Sequence, residues 1–105
     1  MRKFQVEFLP TAIRNLEISF QWGVSEWGED AARKWLRDFY STCKERLSTI
    51  PNGCPIAPES EDLDRELRHL IIGRYRAIFL VTDDIVSIVN VRGSYTGELS
   101  NDDED

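Results

Sequence analysis

One histidine and two cysteines are all that this 105-residue chain offers to soft-metal chemistry. His69, Cys43 and Cys54 lie far apart, so the close ligand spacings of a zinc site are missing. A two-histidine nuclease mechanism is excluded outright. Neither cysteine has a histidine partner at a spacing that suits nucleophilic catalysis, and both read as reduced thiols. Gly23 and Gly28 lack the spacing of a phosphate-binding loop, and no Gly-Lys-Ser/Thr follows them. No run approaches the ~20 apolar residues of a membrane span. Met1-Arg2-Lys3-Phe4 carries charge with no apolar stretch behind it, so no signal peptide is expected. The expectation is a cytoplasmic protein with no cofactor, no metal and no membrane partner.

What is present is enough for one folded unit. Hydrophobic residues make up 41% and aromatics 10%, which excludes a wholly disordered chain. The length fits a single domain, placed at residues 1–97, able to bury a core without disulfides. The net charge of −6 is concentrated at the end, where Glu98, Asp102, Asp103, Glu104 and Asp105 have no base among them. Residues 98–105 therefore read as an acidic, solvated, disordered tail. Residues 1–97 hold 14 acids against 13 bases, a balance poorly suited to holding nucleic acid by non-specific attraction.

Hydrophobic patterning gives an element order. Phe4, Val6 and Phe8 alternate with Lys3, Gln5 and Glu7, the signature of a half-buried strand. Pro10-Thr11 opens a helix in which Ala12, Ile13, Leu16 and Phe20 recur at helical spacing to about Trp22, with Gly23 and Gly28 punctuating the connection. Glu29-Asp30 start a second helix, well placed against its dipole. Its stripe is Ala32, Leu36, Phe39, Cys43, Leu47 and Ile50, broadened by Trp35, and Pro51-Asn52-Gly53 ends it. A loop over 51–64 leads to three strands: Leu67 to Ile72, Tyr75 to Thr82 and Ile85 to Arg92. Gly73-Arg74 and Asp83-Asp84 supply the tight turns. The fold class is α+β, a helical hairpin against a mainly antiparallel sheet whose meander is joined at one edge by the first strand. The middle strand is apolar on both faces, with Tyr75, Ala77, Phe79 and Val81 on one and Ile78 and Leu80 on the other. Its second face needs a cover of its own, often a partner chain.

The chemistry that survives elimination is a set of arginines. Arg65, Arg68, Arg74, Arg76 and Arg92 are the only bases after residue 46. Arginine binds carboxylate and phosphate through a two-pronged fork that lysine lacks. Composition alone favours ordinary ion pairs with Asp62, Asp64, Glu66, Asp83 and Asp84. Glu59, Glu61, Asp62 and Asp64 match no calcium-loop pattern and read as solvated charge. A lone strand histidine such as His69 is more often structural than a general base. Arg76 shares a strand face with Ile78 and Leu80, so it should be half buried and hold a fixed partner. That partner is a carboxylate of the fold, a substrate phosphate or an acidic segment of another protein.

Arg68-His69-Leu70-Ile71-Ile72-Gly73-Arg74-Tyr75-Arg76-Ala77-Ile78-Phe79, followed by Asp83-Asp84-Ile85 and a Val/Ile-rich strand ending in Arg92, resembles the RelE/ParE toxin superfamily. The first strand, the helix start at Ala12 to Leu16, Trp27-Gly28 with Ala31-Ala32, and Pro51 extend the resemblance over about residues 3–95. The loop Cys54-Pro55-Ile56-Ala57-Pro58-Glu59 looks like that of ParE-like plasmid-stabilisation members. The resemblance implies a two-layer fold and the toxin of a type II toxin–antitoxin operon, neutralised by a cognate antitoxin that wraps around it. It also implies one of two activities: RelE-like, ribosome-dependent cleavage of mRNA, or ParE-like binding and inhibition of DNA gyrase without nuclease activity. The meander here contains no lysine, and metal-free phosphoryl transfer needs several cations around the phosphate. ParE is therefore the closer likeness.

The expected partner-binding surface is Arg68, Arg74, Arg76 and Arg92 with Tyr95 nearby. In the RelE-like alternative Arg68, Arg76, Arg92 and Tyr95 would handle the RNA. Relatives usually continue from the third strand into His-Gly, whereas Arg92 is followed by Gly93-Ser94-Tyr95. A chain with the toxin fold that only binds its antitoxin is the third reading. A homodimer and a toxin–antitoxin hetero-oligomer are both compatible with the sequence.

Overall fold

The computed structural model describes residues 3–62 and 65–93; Asp64, Tyr95 and the acidic tail lie outside the described residues. Strand β1 (Gln5–Phe8) leads into helices α1 (Pro10–Trp27) and α2 (Glu29–Leu47). Two short 3₁₀ turns, Pro51–Gly53 and Pro58–Asp62, precede β2 (Arg68–Ile72), β3 (Tyr75–Thr82) and β4 (Ile85–Gly93). The sheet order is β1-β4-β3-β2. The meander is antiparallel, and β1 lies parallel to β4 with Val6 beside Val86 and Phe8 beside Ile88. This is the expected α+β architecture, with β1 on one edge of the meander.

Three local expectations change. Gly23 does not break α1, which runs unbroken to Trp27. A Cβ at position 23 would stand 2.9 Å from the Trp27 ring and 3.4 Å from the Ala32 methyl. Glycine there leaves room for the Trp27 ring of the same helix, with the Ala32 methyl of α2 at ordinary contact distance, which offsets its cost of about 1 kcal/mol in a helix interior. The hairpin bends at Gly28 alone, whose φ of 94° suits only glycine. Ile50 leaves the stripe of α2, because the helix ends at Leu47 and Ile50 stands 68% exposed beyond it. The described part of the expected loop, residues 51–62, is more ordered than a plain loop. It runs beside β2 through Ala57 N–H to the Leu67 carbonyl (2.8 Å) and His69 N–H to the Pro55 carbonyl (3.1 Å).

That segment decides what lies on each face of the sheet. The helices cover one face, burying Phe39, Cys43 and Leu47 against Leu70, Tyr75, Ala77, Phe79, Val86 and Ile88. Trp35 packs on Tyr75 at 4.7 Å between ring centroids. On the other face Ala57 and Leu67 bury Ile78, with Leu80 and Val89 alongside. Part of the cover that this face needs is therefore supplied by the chain itself, around Ile78, while Ile71 stands 59% exposed. A bulge between Ile78 and Phe79 places Val89 as an extra residue of β4. Beyond the end of β1, Asn15 of α1 takes over the β4 edge: its Oδ1 accepts the Val91 N–H (2.9 Å) and the Asn90 amide (3.2 Å).

Candidate functional site

Residues directly opposite each other in a ladder share a face, and the register therefore sorts the arginines. Arg76 stands opposite Ile71 on one side and Arg92 on the other. His69 stands opposite Ile78. Those residues share the face away from the helices. Arg68 stands opposite the fully buried Phe79, on the helix-side face. Arg68 and Arg92 therefore do not meet. Arg74 sits exposed in the β2–β3 turn, beside Gly73 with its φ of 61°. The structure brings Arg76 and Arg92 together and leaves Arg68 and Arg74 apart from them; Tyr95 lies outside the described residues.

The fixed partner demanded by Arg76 is a carboxylate of the fold. Its two terminal nitrogens grip Glu59 at 3.2 and 2.6 Å, a bidentate pair in which both side chains are about three-quarters buried. The same guanidinium donates to His69 Nδ1 at 2.8 Å, so the neutral ring carries its proton on Nε2. Arg92 approaches the same Glu59 oxygen at a looser 3.7 Å and remains mostly exposed. The hydrogen bond from Arg76 holds the Glu59 carboxyl below its ordinary range, with Arg92 adding to the effect. Burial and then the neighbouring Arg76 charge push His69 down, favouring its neutral form. Glu59 is thus neither solvated nor free, and sequence reasoning missed it. Its position 17 residues upstream of Arg76, on a different kind of element, obeys no period that could reveal it.

Arg68 is also engaged, with Glu66 at 2.7 Å and the Cys54 carbonyl at 2.6 Å. Its pair with Glu66 is one of the ion pairs composition favoured. Burial raises the Cys54 thiol despite Arg46 and Arg68 nearby, so its thiolate is disfavoured at neutral pH. Cys43, sealed in the core, is pushed up to about 12 and is inert.

A second feature lies on the opposite side of the molecule. A groove of about 1160 Å³ runs between α1, α2 and the edge strand β1. Its walls are Phe8, Ile13, Leu16, Phe20, Leu36 and Tyr40, of which Ile13 and Tyr40 are nearly half exposed. Phe8 stacks on Tyr40 at 5.2 Å, and Lys44 donates to the Val6 carbonyl at 2.9 Å. The groove is open to solvent and lined mainly by apolar side chains, with Arg33, Arg37 and Lys44 among the residues around it. No helix among the described residues is long and apolar enough to cross a membrane.

Known proteins resemble the whole architecture. A chain of the chromosomal ParDE toxin–antitoxin system from P. aeruginosa superposes with a TM-score of 0.70 at 16% identity, covering 87% of this chain and 96% of that one. A chain of the RelBE2 toxin–antitoxin complex from Mycobacterium tuberculosis superposes with a TM-score of 0.63 at 20% identity, covering 89% and 93%. At such identities the likeness is one of fold. No curated protein sequence matches the chain significantly. The family described as the ParE toxin of the type II toxin–antitoxin system parDE matches residues 6–94, from the first strand past the end of the meander. The chain belongs to the ParE toxin family of type II toxin–antitoxin systems.

Proposed function

We propose that this toxin arrests growth by binding DNA gyrase, and that a cognate antitoxin neutralises it from the groove between α1, α2 and β1. The observation that carries the binding reading is the engagement of the arginines. Arg76 is held by Glu59, and Arg68 by Glu66 and the Cys54 carbonyl. Cations already neutralised by the fold are poorly disposed to gather round a scissile phosphate, which needs several uncompensated charges. Arg74 and the outer half of Arg92 remain available as contact residues on an interface. Arginine is favoured in such places because it combines a fork of donors with an apolar stem.

The antitoxin reading rests on the groove. An amphipathic helix placed there would cover Ile13, Phe20 and Tyr40 while acidic residues on its rim met Arg37 and Lys44. The experiment is a pulse-label of DNA and protein synthesis minutes after this chain is induced alone in bacteria. DNA synthesis falling first is the expected result. Protein synthesis falling first would assign the chain to the ribosome-dependent endoribonucleases instead. An unaffected culture would leave a toxin fold that only binds its antitoxin. For the groove, Ile13→Asp is expected to preserve growth arrest while abolishing rescue by the co-expressed antitoxin.

A further inference from the structure

We propose that the acidic residues 98–105 are the chain's own ligand for Arg74 and Arg92, an intramolecular contact that covers these two arginines until a partner displaces it. The contact itself does not depend on the cellular target. Its consequence for inhibition rests on the reading that these arginines face gyrase.

The first observation is which cations of the meander are open. Arg76 is gripped by Glu59, and Arg68 by Glu66 and the Cys54 carbonyl. Arg74 is exposed in its turn, and no ion pair among the described residues holds it. The Arg92 side chain is 57% exposed, and its Nε stands 3.7 Å from a Glu59 oxygen that Arg76 already occupies at 2.6 Å. Two guanidinium groups are therefore free to take further carboxylates.

The second observation is where the chain leaves the sheet. Gly93, the last residue of β4, stands opposite Tyr75, the neighbour of Arg74, and Arg92 stands opposite Arg76. Whatever follows Gly93 starts beside both open arginines. The sequence then supplies the charge: Ser94 to Gly97 are uncharged, and Glu98, Asp102, Asp103, Glu104 and Asp105 follow with no base among them. Four residues suffice for a hairpin-length reversal. Eight more reach at most roughly 25–30 Å, whereas β2, β3 and β4 together are only about 10 Å across.

Charge selects this occupant and tethering makes it effective. One exposed ion pair is weak on its own. A short tether, however, presents the five acids at an effective concentration on the order of millimolar, and two forked cations can exchange among them. Such a contact belongs to low ionic strength, because about 1 M salt cuts the Debye length to about 3 Å. A partner that needs Arg74 and Arg92 meets only the fraction of chains in which they are uncovered, and its apparent affinity falls by that fraction.

The test compares the full chain with a full-length variant carrying Glu98→Gln, Asp102→Asn, Asp103→Asn, Glu104→Gln and Asp105→Asn together. All five positions lie beyond the folded elements, so the sheet is left as it is. NMR of the arginine Nε–Hε groups in isotope-labelled protein reads the contact directly. At about 20 mM salt the Arg74 and Arg92 signals are expected to differ between the two proteins, and at about 1 M salt to coincide. Arg74 and Arg92 signals indifferent to the tail charges at low salt would overturn the proposal, as would changes confined to Arg37 on the groove. In a gyrase supercoiling assay at low salt the variant is expected to inhibit at about threefold to tenfold lower concentration than the wild type. Signal differences at both arginines with equal inhibition would uphold the contact and overturn instead the assignment of these arginines to the gyrase interface.

Discussion

The two faces of the sheet are held in different ways. The helix-side face is closed by shape: Phe39, Phe79, Val86 and Ile88 are almost wholly buried, and none needs a particular partner. The outer face is closed by a loop whose apolar contribution is small, Ala57 and Leu67 over Ile78, with one bidentate ion pair beside it. Apolar packing tolerates any filling of the right volume, whereas a half-buried arginine requires one specific group. The first face therefore carries the stability of the domain. The second is fastened by one specific ion pair, at modest energetic stake.

Substitutions can break that division. Phe79→Ala empties the centre of the helix-side core and is expected to cost about 3–5 kcal/mol, a large share of the 5–15 kcal/mol available to a domain. Urea unfolding at equilibrium measures it. Arg76→Ala strips the half-buried Glu59 of its partner on the other face, and the expected loss is smaller, about 1.5–3 kcal/mol. Hydrogen exchange should localise that loss, with the Ala57 and His69 amides exchanging faster while those of α2 keep their protection. Equal destabilisation by the two variants would abolish the distinction between the faces. Asn15→Ala, which uncovers the Val91 N–H at the β4 edge, is expected to cost about 1 kcal/mol in the same urea experiment.

Acid provides the finest comparison, because both shifted groups that face each other lie on the outer face. His69 titrates below its ordinary 6.5 in the folded state, so the unfolded chain takes up its proton first. Stability should begin to fall as the pH drops through about 6.5, and the fall should continue to the lower folded value. Glu59, lowered from 4.5, contributes stability that is present above 4.5 and lost as the pH falls through its folded value. Thermal unfolding followed against pH should show both steps in the wild type, with the second missing in Glu59→Gln.

Much of the helix-side face is legible in the sequence, because burial there follows a period. Phe4, Val6 and Phe8 alternate, and Ala32, Leu36, Phe39, Cys43 and Leu47 recur every three or four residues. Periodicity fails where a residue answers to a distant neighbour. Gly23 reads as a helix end, yet it is the point where Trp27 and Ala32 come close. The outer face is barely legible for the same reason. Arg76 on an apolar strand announces that a partner exists, but nothing local marks Glu59 rather than Asp62 or Glu66. Arg68 and Arg92 look alike in sequence, and only the register of β2, β3 and β4 sends them to opposite faces. The groove is hidden in a similar way, since Ile13 and Phe20 continue the apolar stripe of α1 and look like core.

The most direct test of the toxin's action is a supercoiling assay, in which purified gyrase acts on relaxed plasmid while the intact chain is titrated in. Supercoiling should fall as the chain is added and recover when its antitoxin is supplied, as expected for an inhibitor that binds gyrase. Undiminished supercoiling at a large excess of a chain that still arrests growth would contradict the gyrase-binding mechanism.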